Sequence, residues 1–474
     1  MDQDFHYYGA YYAARIGGGF SREEATTIAK ASNFIDFLDN ERYGGYWRMV
    51  GETRKKENRD YTILAEVDYP RYSFQGSWST GVSGSRGLWA SFHFTPGNYP
   101  DPGDAPTHEE VHGAAVAGDL PGHHIRDVDL DEDLGIDADV AKLLNRPQSA
   151  LSRCLIRDTV RCLRDKSRLE AILGLAAGGK TLLEGPDKED VIRRFGLLLL
   201  GGRAHTIADT WAHQDWSATN KAINTYWDIS GDYVPSQIAQ KIKYRGADNE
   251  DWTTVRLSSG YLFTNENLVA VPNNTTYMGH GWMGHLPDFS FIKYQYRPCW
   301  HSRSKEPVQR DNPVQYSHAF LELCSLFSQA NGSLFDPSSA GDKLEGAKRA
   351  MSAHWDIGDG NNCPRGLSAG QWITEMGRLD IQEPSVRIDT KEEPDKKAIL
   401  DGQIDYKSMG GTRYGTYYVN LFSDLYLFQI AIDYNFQFVK HWTAKHDIGA
   451  NLFNGSWSQA YGPLPEAIEQ FLDD

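Results

Sequence analysis

The apolar run Phe195-Gly196-Leu197-Leu198-Leu199-Leu200 passes through Gly201 into Gly202-Arg203-Ala204-His205-Thr206-Ile207-Ala208-Asp209-Thr210-Trp211-Ala212-His213. The pattern predicts one helix over about 187–216, too apolar to lie on a surface. Residues at i, i+4 and i+8 of a helix drift by only about 40° per step, so His205, Asp209 and His213 share a face. Each step climbs about 6 Å, which puts the two histidines about 12 Å apart along the backbone. That is too far for one metal ion. The expectation is two metals side by side, with Asp209 near both. The plain alternative is a buried helix whose polar groups bond to neighbours.

A chain of 474 residues can bury a large core and hold two or three domains. Its net charge of -16 argues against a broad grip on nucleic acid, although a local metal-lined pocket could still take a phosphate. The 13 Trp and 25 Tyr suit cores, and also pockets for sugars, bases or quaternary amines. Cys154, Cys162, Cys299, Cys324 and Cys363 form no C-x-x-C pair, so neither a disulfide framework nor a thiolate zinc site is expected. The first residues show no signal-peptide pattern, and no run is long enough to span a membrane. The expected location is cytoplasmic, or exported without a classical signal peptide.

Along the chain, residues 5–16 read as a Tyr-rich helix stopped by Gly17-Gly18-Gly19. Ser21 and Glu24 form a capping box that opens a helix from Arg22 to about Leu38, with Asp36 near its end. Residues 60–95 suggest a small strand pair, and 96–148 and 217–278 read as loop-rich insertions. Helices are expected at 150–178, at about 313–329 and, buried, from about Leu421 to His441. The fold class is therefore mainly α, a multi-helix core around a metal cleft with loop-rich and small β insertions. Residues 1–330 would form the metal-binding domain, 331–412 an irregular insertion or cap, and 413–474 a C-terminal helical segment packing on the core.

His6, Asp36, His93, His205, Asp209, His213, His280, His285 and Asp288 all lie beside apolar or aromatic runs, in at least five segments spread over the first 290 residues. Imidazole mixed with carboxylate favours zinc over calcium or magnesium. Each also has a structural alternative, such as a core histidine for His6 or a helix end for Asp36, with Asp39 competing for the latter's role.

In order, the set resembles the superfamily of zinc-dependent phospholipases C and single-strand-specific zinc nucleases. The matching pieces are a His near the start (His6), an Asp ending an Ala-rich helix (Asp36) and Phe-His-Phe before a Pro (His93). Next come His-x-x-x-Asp on a helix (His205, Asp209), a following His (His213), and a late His with a carboxylate (His285, Asp288). The resemblance spans about residues 1–330. It implies a mostly helical fold, two or three zinc ions in a cleft, and hydrolysis of phosphodiesters. The pattern departs from the family in spacing. His213 stands four residues after Asp209 rather than six, and Pro287 separates His285 from Asp288. His280 is an alternative to His285 or an addition to it. In the family the amine and carbonyl of an N-terminal Trp also bind zinc. Here the first residue is Met1, and Asp4 is an alternative ligand whose simpler role is to cap the first helix.

A rival motif is His108-Glu109-Glu110-Val111-His112, which fits the H-E-x-x-H pattern of zinc metalloproteases. Pro106 before it and Gly113 after it leave little helix, so a solvated polar loop is the expectation. His123 and His124 are likewise expected at the surface. The reading as a whole is a zinc-dependent phosphodiester hydrolase, phospholipase C-like, with Asp36 as the catalytic group that orients or deprotonates water. Its partners would be a phospholipid or other phosphodiester, with peripheral membrane contact. A nuclease of the same superfamily, a metalloprotease, and a non-catalytic metal-stapled binding or toxin module are the alternatives.

Overall fold

The structure, a computed structural model, describes residues 1–36, 46–53, 60–70, 86–176, 178–227, 241–246, 253–256, 278–283, 286–302, 304–353, 367–388, 416–453 and 471. The strands at 46–53, 60–70, 241–246, 253–256 and 416–420 are described by their backbone. The fold is mainly α with small β insertions.

The axis of the molecule is the helix Lys188–Ala212, buried from Phe195 onwards. Its circumference is apolar, so it needs neighbours all round. Leu197, Leu200, Ile207 and Trp211 enter one core cluster with Tyr12, Phe320 and Phe327. Val191, Phe195, Leu198 and Leu199 enter another with Phe34, Phe428 and Ile432. The helices Arg22–Phe34, Asn312–Ala330 and Asp424–Lys445 pack around this axis. Arg22–Phe34 comes close at Gly201, where an added Cβ would lie 2.3 Å from the Ile28 carbonyl oxygen and 2.6 Å from the Ala31 Cβ. Only a residue without a side chain lets the two helices meet there.

Local sequence explains the neighbouring helices. Ser21 accepts the Glu24 amide while Glu24 returns to the Ser21 amide, the reciprocal cap expected for Arg22–Phe34. Asp311 caps Asn312–Ala330, with Pro313 in its first turn. Ser423 caps Asp424–Lys445. The first turn of the chain is wider than an α-helix: Asp4–Gly9 is π-helical and runs into Ala10–Ile16.

Several boundaries differ from expectation. The region read as one helix over 150–178 is two, Ala150–Arg164 and Lys166–Leu175, because Asp165 ends the first and caps the second. The strand pair starts earlier, with Tyr46–Thr53 antiparallel to Asp60–Pro70, and Thr416–Asn420 joins it in parallel. Residues 217–278, read as irregular, contribute Tyr226–Trp227, Lys241–Gly246 and Thr253–Arg256 to a second sheet built on Ile292–Pro298, which Val308–Asp311 also joins. Ile292–Pro298 buries alternate residues, the period-2 pattern of a sheet with one face covered. Residues 331–412 are not irregular throughout: Gly341–Met351 and Leu367–Arg378 are helices, and Ala347, Trp372 and Met376 join the first core cluster. Among the described residues, no helix is long and apolar enough to cross a membrane.

Candidate metal centre

The residues that converge come from well-separated elements. His6 sits on the π-helical turn, and Asp36 just past the end of Arg22–Phe34. His93 closes the last turn of Arg86–Phe92, its amide bonded to the Trp89 carbonyl. His205 and Asp209 lie on the axial helix, and His213 is its C-cap. His280 follows Gly279, whose φ is +58° and whose Cβ position would fall 1.9 Å from the Phe94 ring. No other residue fits that turn. Asp288 ends the 3-10 turn Leu286–Asp288, held by Asn312 through the Leu286 and Phe289 carbonyls and by Tyr316 through the Asp288 carbonyl at 2.6 Å.

Asp209 is the hub. Its Oδ2 lies 2.9 Å from His93 Nδ1, 3.2 Å from His205 Nε2 and 3.4 Å from His213 Nδ1. Its Oδ1 lies 3.1 Å from His6 Nε2. Asp36 Oδ1 stands 3.7 Å from His205 Nε2 and 4.0 Å from His93 Nδ1. Asp288 Oδ1 is 2.9 Å from His213 Nε2 and 3.6 Å from His280 Nε2. The Met1 amine enters the same space, 2.6 Å from Asp209 and 3.2 Å from Asp288. These atoms form overlapping sets close enough to share a cation: His6, His205 and Asp209; Asp36, His93 and His205; His93, Asp209 and His213; and His213, His280 and Asp288.

The ring tautomers test whether this set fits a metal. His205 Nδ1 is 2.9 Å from the Ser32 carbonyl, and His213 Nδ1 is 3.0 Å from the His93 carbonyl. A carbonyl only accepts, so both Nδ1 atoms are assigned the hydrogen. Each Nε2 then turns a lone pair inward. For His205 it meets Asp209 Oδ2, and for His213 it meets Asp288 Oδ1. With the rings neutral, as metal ligation requires, a lone pair against a carboxylate is repulsive unless a cation stands between them. Imidazoles anchored through Nδ1 to carbonyls, with Nε2 free, are how proteins present histidine to a metal. At the His213 end the Met1 ammonium now stands in that position, 3.2 Å from Nε2.

Electrostatics agree. Burial, then His205, holds His6 well below the ordinary imidazole range. Burial likewise lowers His93 to about 3, against the pull of Asp209. Burial alone would raise Asp209, but His213, the Met1 ammonium and His205 outweigh it and hold the carboxyl well below its usual range. Neutral His6 and His93 beside an ionised Asp209 are the protonation states a metal requires. Burial also works to lower the Met1 amine; Asp209, Asp288 and Asp36 overcome it and raise the amine to about 11. Although 33% of the Asp36 side chain remains open to solvent, desolvation of its carboxyl by the surrounding protein, opposed by His205 and reinforced by Asp209, pushes it up to about 7. Asp209 is fully enclosed by comparison.

Of the residues expected from sequence, His6, Asp36, His93, His205, Asp209, His213, His280 and Asp288 come together. Asp4 is buried in the first turn but belongs to none of the converging sets. His285 and Asp39 lie outside the described residues. The H-E-x-x-H segment is a helix, His108–His112, capped by Thr107 and Glu110, which corrects the expectation of a solvated loop. Its two histidines are not among the sets close enough to share a cation. His108 Nε2 lies 3.2 Å from the Arg153 guanidinium, which repels a cation, and buried His112 lies 3.2 Å from Glu322. His124 is exposed as expected, whereas His123 is half-buried.

Supporting groups escaped the sequence reading. Asn145 Nδ2 spans the His93 and Asp209 carbonyls at 3.3 Å each. Trp211 donates to Glu322 at 2.5 Å, tying the axial helix to Asn312–Ala330. Asp215, at a φ of +79°, is gripped by Arg146 and Arg310 just beyond His213. The carbonyls of Ser32 and His93 carry no side-chain signal, and Asn145 has no motif around it. No curated protein and no solved structure shows significant similarity to this chain. A family model does match, over residues 1–442, and the chain belongs to that family, DUF6765, a family of unknown function.

Proposed function

We propose that this protein is a zinc-dependent phosphodiester hydrolase, phospholipase C-like, working through metal-activated water. The observation that carries the reading is the pair His205 and His213. Each is fixed by a backbone carbonyl and turns its Nε2 toward a carboxylate inside one enclosed space. His6, His93, His205 and Asp36 would hold one ion, and His213, His280 and Asp288 another, with Asp209 facing both. The mixed imidazole and carboxylate set favours zinc. Zinc bound in such a set supplies hydroxide near neutral pH and binds phosphoryl oxygens.

The chain's own groups divide the remaining work. Asp209 and Asp288, enclosed by protein, are suited to holding charge in place. Asp36 alone among these carboxylates keeps a large open edge, so it is the group that can orient a water and take its proton. The acidity of the chain favours a head group such as phosphocholine over a polyanion.

Elemental analysis of purified protein beside Asp209→Ala tests the metal, and release of phosphocholine from phosphatidylcholine against cleavage of single-stranded DNA tests the substrate. The expected result is about two or three zinc per chain, lost in the variant together with lipid hydrolysis. DNA cleavage alone would assign the nuclease reading. Metal without either hydrolysis would make the centre a structural staple. Protein that takes up no zinc ends the proposal.

A further inference from the structure

Asn145 is fully buried, in a stretch anchored by Leu144 among Ile136, Val140 and Trp300. Its side chain reaches the backbone of the metal centre. A carbonyl only accepts, so the nitrogen of the amide faces the two carbonyls it meets. Nδ2 donates one hydrogen to the His93 oxygen and the other to the Asp209 oxygen, at 3.3 Å each. Both oxygens also accept from His213: that of His93 from the ring Nδ1 at 3.0 Å, and that of Asp209 from the His213 amide at 2.9 Å. Asn145 and His213 are thus cross-linked through the same pair of oxygens. Backbone bonds close the frame, from the Asp215 amide to the Asn145 carbonyl at 3.1 Å and from the Asn145 amide to the Trp216 carbonyl at 2.8 Å. The next residue, Arg146, pairs with Asp215. Asn145 Oδ1, by contrast, is buried with no hydrogen-bond partner among the described residues. A half-satisfied buried amide costs stability, which an apolar residue of the same size would avoid. Support of the fold alone does not account for the asparagine.

We propose that Asn145 is a positioning residue that couples the two ion positions of the centre. On the two-ion reading, His93 serves one position, His213 the other, and Asp209 both. These ligands come from different segments, and Asn145 holds the backbone of two of them to the turn that follows the third. An ion that fixes His213 therefore also fixes the His93 and Asp209 carbonyls. The ligands of the other position are then already ordered, and its ion binds at a lower entropic cost. Without the two donors of Asn145, the segments bearing His93, Asp209 and His213 lose their common brace, and each position orders by itself. The coupling rests on the reading of the centre as a two-ion site, and not on its hydrolytic activity.

The test is calorimetric titration of the metal-free full chain with zinc. Wild type and Asn145→Leu are each compared with and without His280→Ala, which removes a ligand from one position only. With Asn145 in place, His280→Ala should weaken its own ion and also the other one, the latter by about fivefold or more. Asn145→Leu should weaken zinc binding by about tenfold or more, and in its background His280→Ala should affect one ion only. Melting of the metal-free proteins separates positioning from support of the fold. Asn145→Leu should melt close to wild type, because the unpartnered Oδ1 is lost together with the two donors. Asn145→Ser, too short to span both carbonyls, takes the place of the leucine variant if that variant does not fold. If His280→Ala affects the other ion equally with and without Asn145, the proposal is overturned. Wild type that binds two ions without coupling also overturns it and leaves the two-ion reading in place. Wild type that binds no zinc overturns both.

Discussion

Among the carboxylates of the metal centre, Asp36 and Asp209 are separated by solvent access. Asp209 is enclosed and surrounded by imidazoles, whereas a third of Asp36 is open. The first suits a permanent ligand and the second a group that exchanges protons with water. Asp36→Asn keeps the shape and a ligand oxygen while removing the base. Turnover should fall by about 10²-fold or more, with most of the zinc retained; equal loss of metal and activity would show Asp36 to be chiefly a ligand. At this scale the sequence was most informative where chemistry resides in the side chain. His6, Asp36, His93 and Asp209 could be picked out because an imidazole or carboxylate beside an apolar run is costly to bury without a partner. What orients them was not legible. The anchors of His205 and His213 are carbonyls of Ser32 and His93, and every residue has a carbonyl. The rival His108 and His112 show the converse, since a motif spacing was present while the fold supplied Arg153 and Glu322 as neighbours.

Elements set how accurately these residues meet. The Arg22–Phe34 helix delivers both the Ser32 carbonyl and, just beyond its end, Asp36, so its seat on the axial helix controls one side of the centre. That seat depends on Gly201. Gly201→Ala should destabilise the fold by about 1–3 kcal/mol through overpacking and should weaken zinc retention. Gly202→Ala, whose Cβ would find nothing nearer than 3.9 Å, should do neither. Chemical denaturation and metal analysis of the two variants check this; equal behaviour would refute it. Periodicity made the helices at Arg22–Phe34, Lys188–Ala212, Asn312–Ala330 and Asp424–Lys445 readable, because caps and apolar spacing lie within each segment. The helices in 331–412 were missed because Gly, Pro and Asp flank them and their support is tertiary. One support is Glu375, which accepts from Arg349 Nη2 and Arg378 Nε at 2.8 Å each. These bonds, Arg349's first, lower its carboxyl from 4.5 to about 2. A depressed acid stabilises the fold above its unfolded value and loses that contribution as pH falls through the folded one. With both arginines half exposed, the gain is about 1 kcal/mol at neutral pH. Glu375→Gln should cost that much at pH 7, and thermal melts of the two proteins should converge between pH 4.5 and 2.

At the scale of the whole molecule, the metal centre joins parts of the chain that share no local connection. Its ligands sit at 6, 36, 93, 205–213 and 280–288, on the opening turn, two helix ends, the axial helix and two late turns. Without a cation, this interior holds Asp36, Asp209 and Asp288 close together, with the Met1 ammonium facing two of them. Bound metal would therefore stabilise the native state across the entire core rather than in one loop. Ligand linkage adds about 4 kcal/mol when free metal is a thousand times its dissociation constant. Chelation should lower the melting temperature by several degrees, and zinc should restore it. Hydrogen exchange should speed up together in Arg22–Phe34, the axial helix and the Leu286–Asp288 turn, since each loses the same anchor. The peripheral Gly341–Met351 helix, which supplies no ligand, should change least. Acidification should mimic chelation. Protons compete with the metal for the same imidazole and carboxylate atoms; in the metal-free chain the loss from His93, held near 3 against 6.5 unfolded, is offset by Asp36, raised to about 7, which gains stability as pH falls. A chain that melts identically with and without chelator, and exchanges only locally, would show that no cation unites these segments.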